Sequence, residues 1–157
     1  MVFTALWTHG NAVVPESPEQ LDQFTRYGFG TQVQTKTGTN HWFHVPMPSP
    51  VLTGTYRPKL LRVFILSNSD ISSCISKVHI YDGSRLVTER NPLICGNKLT
   101  IQNDNAIHFA TPPSGPGGII PAFPGLPIYY GLGITMLIDA GTFPKRFFFA
   151  AFGADWE

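Results

Sequence analysis

LLRVFILSNSDISSCISKVHIYDG, residues 60–83, is the stretch whose reading decides the fold. Leu61, Val63 and Ile65 alternate with Leu60, Phe64 and Leu66, so the first half is apolar on both faces apart from Arg62. That is the pattern of a strand buried inside a sandwich, not of one lying half in water. Ser67-Asn68-Ser69-Asp70 supplies side chains that bond their own backbone and reverse the chain. From Cys74 a second strand alternates, with Ile75, Lys77, His79 and Tyr81 on one side and Ser76, Val78 and Ile80 on the other. Asp82-Gly83 ends it with a strong turn signal. The stretch therefore predicts two paired strands joined by a polar turn.

Composition agrees. A chain of 157 residues is one domain with a real core. Its 15 glycines and 14 prolines favour many short strands over helices. Charged residues make up 13%, about half the roughly 25% of ordinary soluble domains. Such a surface is either rich in uncharged polar groups or covered by other copies of the chain. The net charge is +1 with no basic stripe, which argues against nucleic acid. No apolar run approaches the roughly 20 residues needed for a membrane span. The first ten residues do not read as a conventional signal peptide, which predicts a cytoplasmic or non-classically exported protein. On that footing Cys74 and Cys95 are expected as two reduced thiols, with a disulfide open if strands bring them together.

Outside the central stretch, residues 3–14 read as two short strands about a turn at Gly10-Asn11. Ser17 caps a single helical turn through Leu21, and Arg26–Gly30 marks a bulge or a close backbone approach. Strands follow at 31–35 and 41–45, the latter running into Pro46-Met47-Pro48-Ser49-Pro50. Further strands are expected at 85–90, 98–102, 106–110, 128–140 and 145–153. Residues 111–127 hold six prolines and four glycines in seventeen positions, so they form a loop or an arm. The whole chain, 1–157, predicts a single all-β domain, an antiparallel β-sandwich of jelly-roll type. It should hold about nine or ten strands with at most one helical turn.

Candidate chemistry is sparse. His41 and His44 stand three apart, which puts them on opposite faces of a strand, unlike metal ligands. Adding His9 and His79 yields no ligand cluster, so no metal and no cofactor is expected, and neighbouring backbone should satisfy the rings. Ser114 lacks the strand-turn-helix context of a nucleophile, and Cys74 lacks a base. Asp82, Asp104, Asp139 and Asp155 sit at strand ends, where turn formation explains them. Gly115-Pro116-Gly117-Gly118 is no phosphate loop. Trp7, Trp42, Tyr81 and Trp156 offer flat rings for sugar stacking, although large rings in a β-protein are more often core.

Four stretches resemble an uncharacterised domain family of bacteria and fungi. They are Leu6-Trp7-Thr8-His9-Gly10; Trp42-Phe43-His44-Val45-Pro46 with Pro48 and Pro50; His79-Ile80-Tyr81-Asp82-Gly83; and Ile128–Thr135 with Gly153-Ala154-Asp155. The resemblance implies a stand-alone β-sandwich and assigns no activity, so it transfers no site residue. The insert at 111–127 is longer than that pattern requires. Its polar members His9, His44, Asp82 and Asp155 are the ones packing explains least.

The sequence thus leads to a non-enzymatic, self-associating β-sandwich that forms a homo-oligomer or filament. Ile119, Ile120, Phe123 and Leu126 are its joint, too apolar for a solvated loop. The alternative is a lectin-like domain that binds carbohydrate through Trp7, His9, Trp42, His44, Tyr81 and Asp82. A hydrolase is a distant third.

Overall fold

The computed structural model, which describes residues 4–38, 40–109, 125–139 and 142–157, consists of two antiparallel sheets packed face to face. The expected arm lies largely outside the described residues, Ile119, Ile120 and Phe123 with it. The strands are β1 (Thr4–His9), β2 (Val14–Pro15), β3 (Leu21–Tyr27), β4 (Gly30–Thr35) and β5 (His41–Met47). Next come β6 (Lys59–Ser69), β7 (Cys74–Asp82), β8 (Arg85–Arg90), β9 (Ile94–Cys95) and β10 (Asn97–Lys98). The last are β11 (Ala106–His108), β12 (Leu126–Pro127), β13 (Leu132–Ile138) and β14 (Arg146–Trp156). That exceeds the expected nine or ten, because several are two- or three-residue pairings that leave no alternation to read in the sequence.

The first sheet is centred on β6 and β14, which pair along most of their length. The far edge of β14 is shared, β4 taking Arg146–Phe149 and β1 taking Ala151–Trp156, while β3 hairpins onto β4. The free edge of β6 is covered in turn by β12, β11 and β10. The second sheet runs β2-β5-β13-β7-β8, with β9 also on β7.

Residues 60–83 do form two strands, but they do not pair. β6 belongs to the first sheet and β7 to the second, so the polar turn between them carries the chain from one layer to the other. The partners that displace the expected hairpin come from the end of the chain. β14 matches β6 with a similarly apolar strand, and β13 pairs with β7 from Ile75 to Asp82.

Bulges set which side chains reach the core. In β6 the register slips beside Leu61, so Leu60, Val63 and Ile65 all point inward and Arg62 outward. A slip beside Ala150 likewise turns Phe147, Phe149, Phe152 and Trp156 inward. The slip in β7 brings Ile75 inward with Val78 and Ile80, not outward with Lys77 as the alternation suggested. These side chains meet Phe43, Val45, Ile134 and Met136 of the second sheet in one buried cluster. Phe43 and Phe149 touch across the sheets, 5.6 Å between ring centroids.

Phe64 faces the opposite way and is nonetheless buried, because Trp7 of β1 stacks over it at 5.6 Å and 9°. Gly153 makes that stack feasible, since a Cβ there would come within 2.7 Å of the Trp7 ring.

Two local expectations change. Pro18–Gln20 is a 3-10 turn rather than an α-turn, Ser17 makes no side-chain cap, and Leu21 already belongs to β3. Similar turns lie at Gly10–Ala12 and Asn103–Asn105. Arg26–Gly30 holds the reversal between β3 and β4 rather than a bulge, and the close backbone approach expected there is found at Gly30, where a Cβ would overlap the Phe149 carbonyl oxygen. The cysteines are also not free thiols. β9 lies beside β7 with Cys95 opposite Cys74, and the two form a disulfide.

Candidate functional site

The outer face of the second sheet gathers the polar and aromatic side chains that the core leaves over. On β5, Phe43 and Val45 point inward, so Trp42, His44 and Pro46 point outward. β13 sets Leu137, Thr135 and Gly133 beside them, and β7 adds Lys77, His79 and Tyr81. The register therefore lays His44, Thr135, His79 and Glu89 in one row across four strands.

Each histidine in that row is held from the sheet edge. Glu16 follows β2 and extends its pairing, its N–H donating to the Trp42 carbonyl at 2.9 Å. Its carboxylate meets His44 Nε2 at 3.1 Å, while His44 Nδ1 lies 2.9 Å from Thr135 Oγ1. With Nε2–H donating to Glu16, Nδ1 accepts the threonine hydroxyl proton. On the other side His79 Nε2 stands 2.9 Å from Glu89 Oε2. Lys77 bonds Glu89 at 3.2 Å, and that bond first, then the charges of Lys77 and His79, holds the exposed carboxyl below the usual glutamate range.

Between these flanks lies an open trough of about 530 Å³. Trp42 packs against the His79 ring at 4.8 Å, and Tyr81 continues the wall. Gly133 has no side chain, so the trough floor between Pro46 and Tyr81 is bare backbone. Flat rings over a bare floor, edged by donors and acceptors, suit a ligand with an apolar face and a hydroxylated rim.

Thr135, His44 and Glu16 have the order of a nucleophile, base and acid, yet the setting is wrong for attack. Thr135 is mid-strand, and β13 pairs on both edges. Its backbone N–H groups are therefore committed to ladders and none is left to stabilise an oxyanion. The relay orients the His44 ring. Among the described residues no group of three His, Cys, Asp or Glu is placed to hold a metal ion.

Of the residues singled out in the sequence, Trp42, His44 and Tyr81 meet in the trough. Trp7 lies on the other sheet over Phe64, and His9, at the end of β1, accepts the Asn11 N–H at 3.2 Å. Asp155 also lies on that sheet, ion-paired with Arg62. Leu126 pairs with Leu60 and packs on the core of its own chain. His41 is buried, and burial holds its ring below the ordinary histidine range against a bond with the Lys36 backbone. Glu16 and Thr135 were missed, because only the registers of β2 and β13 bring them to His44.

Asp82 points the other way from Tyr81 and is buried. The turn of the β7–β8 hairpin falls at Gly83-Ser84, and Gly83 adopts φ 58°. Asp82 instead clasps the segment before β13, accepting the N–H groups of Tyr129 at 3.0 Å and Tyr130 at 2.7 Å. Burial alone pushes this carboxyl up. The N–H groups of Tyr130 and Tyr129, the Arg85 guanidinium and the Gly131 N–H outweigh that and hold it below the ordinary aspartate value.

A group with a depressed folded-state pKa stabilises above its unfolded value and loses that contribution as pH falls through the folded one. Asp82→Asn keeps the shape and loses the charge on these bonds, so it should cost about 2 kcal/mol at pH 7. The gap to wild type should close below about pH 4. Urea midpoints across that range check it, and a gap independent of pH would refute the ionised clasp.

In comparison with known proteins, no family model and no curated protein matches this chain.

Proposed function

We propose that the chain is a non-enzymatic carbohydrate-binding β-sandwich that seats a neutral glycan in the trough of the second sheet. The observation that supports this reading most directly is the pairing of Trp42 and Tyr81 with a side-chain-free floor at Gly133. A pyranose ring places its C–H face on the aromatic wall. Its hydroxyls meet the Glu16–His44–Thr135 edge and the His79–Glu89 edge. The Cys74–Cys95 disulfide supports a working environment outside the reducing cytosol.

A glycan array followed by titration with the best neutral oligosaccharide tests this. Trp42→Ala should weaken binding at least about tenfold, equivalent to ~1.4 kcal/mol, with the thermal midpoint little changed. An unchanged affinity in that variant, or an array with no neutral glycan bound, overturns the reading.

Self-association is a second reading. The low charge and the solvent-facing Ile71, Tyr130 and Phe143, exposed by 90%, 84% and 74%, are apolar surface that a second copy of the chain could cover. Light scattering that finds only monomer removes it.

A further inference from the structure

We infer that the outer face of the first sheet carries a second site for neutral glycan, so that one chain can hold two polysaccharide strands. A trough of about 570 Å³ runs across β3, β4, β14 and the end of β6. Its outward side chains are amides: Gln34 lies opposite Gln23 and Arg146, while Phe148 lies between Gln32 and Asn68.

Internal bonds orient three of these amides, Gln23 Nε2 donating to Thr25 Oγ1 at 3.4 Å. Arg146 Nε donates to Gln34 Oε1 at 3.2 Å, which leaves the Gln34 NH2 as a donor on a side chain that lines the trough. Gln32 Nε2 donates to the Phe147 carbonyl at 3.1 Å, which leaves its oxygen as an acceptor. Asn68 offers both an acceptor and a donor, with no side-chain partner among the described residues. The trough therefore offers both donors and acceptors, which hydroxyl groups satisfy because each gives and takes a hydrogen bond. Arg146 and Asp70 carry opposite charge, so the trough favours neither an anion nor a cation.

One end of the trough is an aromatic shelf. Phe148 touches Phe29 at 5.6 Å, and Phe29 stacks on Tyr27 at 5.2 Å with the rings 7° from parallel. Phe29 sits at the β3–β4 reversal and is 68% exposed, with no core to fill. Gly30 clears the space beneath, since a Cβ there would run into the Phe148 ring and the Phe149 carbonyl. An extended peptide is the competing ligand for an amide-lined surface. It would gain little here, because the face of a sheet has its backbone groups committed to the ladder. A sugar uses what is present, its C–H face on the shelf and its hydroxyls on the amides.

The inference shares only its ligand class with the proposed function, and the two sites lie on opposite outer faces of the sandwich. Soluble galactomannan, laminarin, dextran and hydroxyethylcellulose, with their oligosaccharides, serve as probes. The full chain is compared with Phe29→Ala, Asn68→Ala, Trp42→Ala and the Phe29→Ala/Trp42→Ala double variant, each verified as folded by its melting temperature. Calorimetry should count two oligosaccharides per wild-type chain, one in each single variant and none in the double variant. Wild type should cross-link the polysaccharide, read as turbidity, and the single variants should lose that cross-linking.

If Trp42→Ala removes all binding, or Phe29→Ala and Asn68→Ala both leave the count at the wild-type value, the second site is wrong while the first stands. If Trp42→Ala changes nothing and the Phe29 and Asn68 variants lose everything, the second site stands alone and the first is wrong. Binding of an extended peptide library in place of every sugar overturns both.

Discussion

Gly10→Ala should destabilise the protein by about 3 kcal/mol or more, the upper end of the range for overpacked sites. Gly10 is buried in the 3-10 turn that takes the chain from β1 in the first sheet to β2 in the second. A methyl group there would overlap the Phe149 carbonyl oxygen and come within 2.6 Å of its carbon and 3.0 Å of the Ala150 carbon. All three atoms are backbone, and they belong to β14, the strand clamped between β6 on one side and β4 and β1 on the other. A side chain in the way could rotate aside, whereas this carbonyl cannot move without breaking the central ladder.

Gly28 is the control. It lies in an exposed turn with open space where a Cβ would go, so Gly28→Ala should stay within about 0.5 kcal/mol of wild type. Urea denaturation of the two variants reads the difference directly. A Gly10→Ala protein as stable as Gly28→Ala would mean that the turn does not press on β14 as described.

Removing the disulfide should have the second largest effect. Cys74 and Cys95 are 21 residues apart and enclose the β7–β8 hairpin. Closing a loop of that length restricts the unfolded chain by about 3 kcal/mol on the chain-entropy account. The native side of the argument adds to it, because β9 is only two residues long and has little else to hold it to the sheet edge. The Cys74→Ala/Cys95→Ala variant, or wild type in reductant, should therefore unfold at markedly lower urea. The loss should show first around β9, as faster amide exchange there than in β13. Both cysteine residues are part-exposed, so a reductant can be tried on the folded protein. Recovering two free thiols from protein unfolded without reductant would refute the bridge.

Much of this molecule was legible from residue order. The alternation of His41–Val45 located β5 and put His41 and His44 on opposite faces, because a strand has only two, but it did not decide which face looks outward. The same rule set Lys77, His79 and Tyr81 on one side of β7, and glycine after Asp82 marked the reversal into β8. Abundant proline and glycine, with short apolar runs, excluded helices of any length. The sequence therefore placed His79 with Tyr81 on one face of β7, and the structure decided that this face and that of Trp42 and His44 look outward.

Pairing across long separations was decided only in three dimensions. Ser67–Asp70 reads as a reversal, yet Ser67–Ser69 continue β6 and the turn is Asp70–Ser73, which looks the same in sequence whether it closes a hairpin or crosses between sheets. The choice between them rests on β13 and β14, which lie more than half the chain from most of their partners and fit β7 and β6 better than those two fit each other. Bulges are equally silent in the sequence, because one extra residue reverses the facing of everything beyond it, as with Ile75 and Leu60. The register that carries Thr135 to His44, the edge that brings Cys95 to Cys74, and the burial that turns Asp82 from a turn residue into a clasp all follow from those pairings. Local periodicity determined which side chains share a face within each unbroken run, and tertiary contact determined where the runs break, which face turns inward and what each side chain meets there.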